Sequence, residues 1–137
     1  MSAVIPFASP FEAAKRRFEH HGERLYEKLQ ASNYSYAPEA EYEELERILL
    51  NTPAYAPADI AYKAQLSRDC LHDIGEGKAD IQLLTDGINA IRAGDLATAT
   101  KTLDTALMGE TDYPFAYEGA AAALADLHRL NPAPTND

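Results

Sequence analysis

The chain has 137 residues, a net charge of −10 and 46% hydrophobic residues, which suits one globular domain and excludes a wholly disordered chain. Its apolar runs are far shorter than the roughly 20 residues of a membrane span, and its N-terminus does not resemble a secretory signal. The single cysteine, Cys70, excludes an internal disulfide and favours a cytoplasmic protein. We therefore predict one domain, 1–137, with loose tails at 1–8 and 131–137.

The charge is unevenly distributed along the chain. Residues 1–38 carry five basic and four acidic side chains, a net +1, whereas residues 39–137 carry seven and eighteen, a net −11. Such a surface repels phosphate backbones, so we expect no direct nucleic-acid binding. It attracts a basic protein partner, although acidic surfaces also serve solubility alone.

Capping and proline signals mark the first two helices. Ser9-Pro10-Phe11-Glu12 predicts a helix start, because serine caps, proline suits the first helical position and glutamate completes a capping box. Apolar residues seven apart, Phe11, Phe18 and Leu25, then predict a helix of about 20 residues. Pro38 opens the second helix, whose first turns are rich in glutamate, as the helix dipole favours. Its predicted inward residues are Tyr42, Leu45 and Leu49.

The third helix is predicted to begin at Pro57. Its apolar residues recur every four positions, which predicts one inward stripe. The stripe consists of Tyr62, Leu66, Cys70 and Ile74, widened by Ile60 and Leu71. The segment Gly75-Glu76-Gly77 then either ends the helix or bends it.

Glycine and aspartate separate the last three helices. Gly94 terminates the fourth helix, Asp95 caps the fifth, and Thr111-Asp112 caps the sixth with Pro114 just inside. The predicted inward residues are Ile81, Leu84, Ile88 and Ile91 in the fourth helix; Leu96, Ala99, Leu103 and Ala106 or Leu107 in the fifth; and Ala116, Ala120, Ala123, Leu127 and Leu130 in the sixth. Because the connections are short, the sequence predicts an all-α fold of about six antiparallel amphipathic helices in one compact bundle.

One segment resembles a known repeat. Its small and large residues are spaced as in a tetratricopeptide hairpin: Gly87, Gly94, Asp95, Ala99, Leu103, Ala106 and Leu107. Residues 80–107 thus resemble a single repeat of that family, and the sixth helix resembles its capping helix. The segment departs from the pattern at Leu83, where the family has an aromatic residue, at Asn89 and Ala90, and at Thr111 in place of proline. The resemblance implies a scaffold or adaptor that presents a groove to a peptide, with no catalytic residue.

No motif of enzyme chemistry is found in the sequence. Gly75-Glu76-Gly77-Lys78 lacks the earlier glycine and the following serine or threonine of a phosphate loop. His20 and Glu23 share a helix face, as in di-iron sites, but such sites need further inward carboxylates from other helices. Cys70 lies on an apolar stripe, where cysteine is usually inert. We therefore predict no catalytic residue, no cofactor and no metal.

A protein-binding role remains the favoured interpretation. Large amphipathic tyrosines in loops can anchor interfaces, and a glutamate-rich helix can meet a basic partner. The candidate partner-binding residues are Tyr34, Tyr36, Glu39, Glu41, Glu43, Glu44 and Tyr55. The sequence predicts a non-enzymatic interaction module, an adaptor or regulator. The alternative is an acidic inhibitor or nucleic-acid mimic, of the kind phages encode, that blocks a basic nucleic-acid-binding protein. Homo-oligomerisation stays open, and no membrane partner is expected.

Overall fold

The computed structural model describes residues 9–31, 39–75, 77–108 and 114–130. Within these ranges the chain forms six α-helices and a short 3-10 helix, which confirms the predicted all-α class. The helices are α1 (Pro10–Ala31), α2 (Glu39–Asn51), α3 (Pro57–Ile74), α4 (Lys78–Arg92), α5 (Leu96–Leu107) and α6 (Glu118–Leu130), with the 3-10 helix at Pro114–Tyr117. None of the described helices is long and apolar enough to cross a bilayer. The tails predicted at 1–8 and 131–137 lie outside the described residues.

The chain divides into two compact units, Met1–Pro53 and Ala54–Asp137. The first unit contains α1 and α2, which pack together. The predicted helix start is confirmed, because the Glu12 amide donates to Ser9 Oγ over 3.1 Å. The Phe18 and Tyr42 rings join the two helices with centroids 5.1 Å apart. The expectation of a single domain stays a prediction.

The second unit contains the remaining four helices. In it α3 packs on α4 and α6, and α5 packs on α4 and α6. Gly75 and Gly77 both have positive φ, 72° and 69°, a conformation that glycine adopts without a steric penalty. α3 ends at Ile74, before Gly75, and α4 begins at Lys78, after Gly77, so the glycine segment separates two helices and does not merely bend one.

The turn between α4 and α5 forms as predicted. Gly94 has a φ of 81°, and the Asp95 amide donates back to the carbonyl of Ala90 over 2.9 Å, as in a Schellman helix end. The Asp95 carboxylate then accepts a hydrogen bond from the Thr98 amide over 3.2 Å. The sequence therefore located this helix boundary correctly.

Replacing Asp95 with alanine is expected to lower the melting temperature at neutral pH, because the Thr98 amide loses its acceptor. The hydrogen bonds from Thr98 lower the pKa of Asp95 below its ordinary value of 3.8. The stabilisation by the cap is therefore full above that ordinary value and is lost as the pH falls through the lowered pKa. Thermal melts should show a difference from the parent protein at pH 7 that shrinks in acid. Asp104→Ala, at an exposed position of the same helix, is the matched control. A difference in melting temperature between Asp95→Ala and the parent protein that persists unchanged in acid would contradict the cap.

The α4–α5 hairpin is closely packed at Gly87. A Cβ placed on this buried glycine would lie 2.9 Å from Leu103 Cδ2, so the absent side chain lets α5 approach. Ala99, Leu103 and Ala106 are all buried on the facing side of α5. The resemblance to a tetratricopeptide hairpin stays a prediction, because small residues at a helix crossing also occur in unrelated bundles.

The inward face of α3 was predicted only in part, since Ile60 and Leu71 are buried as expected but the rest of the predicted stripe is not. Tyr62, Leu66 and Cys70 are only half-buried, and Ile74 is exposed. The buried residues of α3 are Ile60, Ala61, Lys63, Ala64, Ser67 and Leu71. The face is rotated because α6 supplies polar partners for Lys63 and Ser67, which turns two polar side chains inward.

The start and the end of α6 also differ from the prediction. Pro114 begins a 3-10 helix and not the α-helix itself, a frequent arrangement at helix N-termini. Ala116, Ala120, Ala123 and Leu127 are buried as predicted, but Leu130 in the last turn is exposed. The predicted cap at Thr111-Asp112 lies outside the described residues.

The Ser67 hydroxyl satisfies a backbone amide in the first turn of α6. Ala120 N donates to Ser67 Oγ over 2.7 Å, and the bond is buried. The first amides of a helix have no partner within the helix, so α3 supplies one. Ser67→Ala is expected to destabilise the second unit by about 1–3 kcal/mol, the cost of leaving a buried donor unsatisfied. Urea denaturation checks this, with the half-buried Cys70→Ala as control; equal effects of the two changes would contradict it.

Candidate interaction surface

The predicted partner-binding residues fall into three groups: exposed side chains, a residue whose side chain is not described, and residues outside the described ranges. Glu41, Glu43 and Glu44 are exposed on α2, and Tyr55 is 60% exposed directly before α3. Glu39 begins α2, but its side chain is not among those described. Tyr34 and Tyr36 lie outside the described residues. The carboxylates belong to the first unit and Tyr55 to the second, so each is a feature of its own unit.

The acidic surface of α2 is partly neutralised by its own arginine. Arg47 donates from Nε to Glu44 Oε2 over 3.1 Å and from Nη2 to Oε1 over 2.5 Å. Hydrogen bonding by this guanidinium holds the pKa of Glu44 below the ordinary carboxylate value, so Glu44 stays ionised well into acid. The three-residue spacing of this pair is readable from the sequence. Glu44 therefore engages Arg47 through both of its carboxylate oxygens.

An open depression lies between α1 and α2. Its described lining residues are His21, Glu41, Glu44 and Leu45, and its volume is about 460 Å3. His21 Nε2 lies 3.9 Å from Glu41 Oε2, beyond hydrogen-bond distance, and it has no hydrogen-bond partner among the described residues. The carboxylates of Glu41 and Glu44, three residues apart, thus share one side of α2. Glu43 lies two residues after Glu41 and therefore faces another side of the helix.

An ionic cluster that was not predicted from the sequence joins α3 to α6. Lys63 Nζ lies 2.8 Å from Asp126 Oδ2, and each side chain is only 1% exposed. Arg129 Nη1 donates to the other oxygen, Oδ1, over 2.6 Å. Burial lowers the pKa of Lys63 below the ordinary lysine value, and the hydrogen bond and charge of Asp126 oppose that shift. The contact between Lys63 and Asp126 is thus a buried ion pair, in which both hydrogen bonding and charge favour the ionised lysine.

One sequence signal could have revealed the cluster. Asp126 stands three residues after Ala123 and directly before Leu127, both predicted to face inward. An acidic residue at that position either is buried with a partner or does not belong to the inward face of the helix. The Lys63–Asp126 pair is shielded from solvent, so it positions α6 and offers no surface to a ligand.

Tyr117 makes a second polar link within the second unit. Its hydroxyl donates to the Asp80 carboxylate and lies 3.5 Å from where a Cβ on Gly77 would stand. The link joins the 3-10 helix to the first turn of α4. It therefore fixes the chain where it enters α6.

Some large apolar side chains are exposed in the second unit. Met108 at the end of α5 is 77% exposed and Phe115 in the 3-10 helix is 54% exposed. Single exposed apolar residues are normal on protein surfaces.

The described part of the chain contains no group of three or more histidine, cysteine, aspartate or glutamate side chains placed to hold a metal ion. It defines an all-α protein with one acidic helix in its first unit and a buried ion pair in its second. No protein-family model matches the chain, and comparison with curated proteins and with solved structures gave no match.

Proposed function

We propose that the chain is a non-enzymatic protein–protein interaction module, an adaptor or regulator, that binds a basic surface of a protein partner through α2. The observation that carries this proposal is the exposure of Glu41, Glu43 and Glu44 on one helix, where Arg47 pairs with Glu44. Exposed carboxylates steer a basic partner toward the helix and select against acidic ones. A cytoplasmic location belongs to the same proposal.

Affinity capture with a charge-neutralised α2 tests this proposal. The variant Glu41→Gln/Glu43→Gln removes two negative charges and keeps the side-chain shapes. The matched control, Asp104→Asn/Glu118→Gln, removes two charges from exposed positions of the second unit. The proposal predicts proteins that the parent chain and the control retain and that the α2 variant loses. Retention of the same proteins by all three chains would contradict it.

Tyr55 is a separate candidate contact, in the second unit. Tyr55 is 60% exposed and stands between Ala54, which is buried, and α3. An exposed tyrosine beside anchored backbone presents a large contact area at low entropic cost. Tyr55→Ala is therefore expected to weaken capture of the same partner, and Tyr34 and Tyr36 remain candidates of the same kind.

The alternative function is that of an acidic inhibitor which occupies a nucleic-acid-binding surface. The net charge of −11 after residue 38 favours it, because a nucleic-acid-binding protein presents the complementary charge. Under this alternative, the captured partner binds nucleic acid, and the chain displaces that nucleic acid in a fluorescence competition assay. Affinity for the partner that is unchanged between 50 mM and 500 mM salt would contradict it.

The hairpin of residues 80–107 supports a different mode of binding. Its resemblance to a tetratricopeptide repeat implies a groove for a peptide. If the second unit binds in this way, the α2 variant keeps its partner, so the capture experiment distinguishes the two modes.

A further inference from the structure

The depression between α1 and α2 contains a histidine nitrogen whose hydrogen-bonding capacity is unused. His21 Nε2 is buried and has no hydrogen-bond partner among the described residues, although the side chain as a whole is 17% exposed. The Oε2 atom of Glu41 lies 3.9 Å from it, too far for a hydrogen bond. A buried polar atom without a partner costs free energy, so a change that supplies a partner is favoured at this place.

Protonation turns this nitrogen into a donor beside a carboxylate. In the imidazolium, which takes its extra proton from solvent, both ring nitrogens are donors. The Glu41 side chain is 60% exposed, so it has room to move toward His21 and accept. A hydrogen bond between two charged groups is roughly twice as strong as a neutral one. Because a carboxylate accepts several hydrogen bonds, Glu41 can accept from the imidazolium in addition to the contacts that it already makes.

The other charged groups around His21 do not take the place of Glu41. Glu44, which also lines the depression, is engaged through both of its oxygens by the guanidinium of Arg47. The charge of Arg47 opposes that of an imidazolium, whereas the carboxylates favour it. The neighbours one turn away on α1 are exposed cations that cannot accept a proton: Arg17 and Arg24.

We propose that His21 regulates the acidic surface of α2: when it is protonated it engages Glu41, and the affinity for a basic partner falls. This inference rests on the function proposed above for α2 and adds a pH dependence to it. The imidazolium both occupies Glu41 and repels an approaching cation. Glu43 faces another side of the helix and stays available, so acid weakens binding and does not abolish it.

NMR of the full chain without any partner tests the contact itself. The carboxyl carbon of Glu41 is expected to show a shift between about pH 8 and about pH 5.5, the range in which imidazoles take up a proton. His21→Gln is expected to lack this shift. The matched control, His20→Gln, removes the exposed imidazole of the adjacent residue and is expected to keep it. The same response of Glu41 in all three chains would overturn the inference.

Titration with octalysine, whose charge is nearly constant over this pH range, tests the regulation. On acidification, the affinity of the parent chain and of His20→Gln is expected to fall about two- to fivefold more than that of His21→Gln, the range of one exposed ion pair. Glu41→Gln is expected to behave like His21→Gln. An equal fall in all four chains would overturn the regulation.

Failure of the proposed function gives a different result. In that case Glu41→Gln binds octalysine as tightly as the parent chain at both pH values, which overturns the regulation along with the function. The carboxyl signal of Glu41 still responds to His21 in the chain alone, since that contact needs no partner.

Discussion

Asp126→Ala is expected to destabilise the second unit by about 3–5 kcal/mol, the cost of breaking a buried pair by removing one partner. The change takes the carboxylate away from the Lys63 ammonium, whose side chain is 1% exposed. Water cannot replace the carboxylate at so buried a position without opening the α3–α6 interface. Urea denaturation followed by circular dichroism at pH 7 measures this effect.

The matched control removes the cation on the solvent side of the same carboxylate. Arg129 is 41% exposed and pairs with Asp126 Oδ1, so Arg129→Ala leaves the Lys63–Asp126 pair in place. The loss of a half-exposed ion pair is expected to cost about 1 kcal/mol or less. If Asp126→Ala lowers the free energy of unfolding no more than Arg129→Ala does, the Lys63–Asp126 pair does not hold α6 against α3.

Gly119→Ala is expected to destabilise the second unit by about 2–3 kcal/mol or more, in the range of overpacked interiors. The new Cβ would stand 2.2 Å from the Lys63 carbonyl oxygen and 3.0 Å from Ser67 Oγ. The nearest atom belongs to the backbone of a packed helix, so α6 must move outward. Alanine is the better helix former by about 1 kcal/mol, and the clash has to exceed that gain.

Gly22→Ala is the control of opposite sign. Gly22 also lies inside a helix, but a Cβ there has nothing within 4 Å among the described atoms. The same substitution is therefore expected to stabilise α1 by about 0.5–1 kcal/mol. In thermal and urea melts, the changes in stability of the two variants should have opposite signs. Destabilisation by Gly22→Ala equal to that by Gly119→Ala would contradict the packing described for α6.

Helix boundaries were predictable because they depend on local chemistry. The serine cap at Ser9 and the Gly94-Asp95 turn satisfy backbone groups within a few residues of themselves, and Pro57 places a residue without an N–H at the start of α3. No distant part of the chain is needed to place them. The sequence therefore located these starts and stops correctly.

The buried face of α3 was not predictable in the same way. Lys63 and Ser67 look like surface residues until Asp126 and the Ala120 amide are brought to them from more than 50 residues away. Apolar periodicity assigns such positions outward, since it cannot include a partner on another helix. The prediction therefore chose Tyr62 and Ile74, one of which is half-buried and the other exposed.

The candidate surface was predictable in part. The exposure of Glu41 and Glu43 follows from their charge, and the pairing of Glu44 with Arg47 follows from a three-residue spacing. The position of the half-buried His21 beside Glu41 depends on how α1 meets α2, which the spacing of residues does not specify. The sequence thus identified the acidic helix but not which of its carboxylates lie at the α1–α2 depression.

The carboxylates of α2 are proposed to bind a protein partner. Isothermal titration calorimetry with a partner obtained by affinity capture tests it most directly, using the parent chain, Glu41→Gln/Glu43→Gln and Asp104→Asn/Glu118→Gln. The α2 variant is expected to bind the partner at least tenfold more weakly than the parent chain, a difference of about 1.4 kcal/mol. Raised salt is expected to lower the affinity of the parent chain toward that of the α2 variant. The second-unit variant is expected to bind like the parent chain. Equal affinity of all three chains at low salt would contradict it.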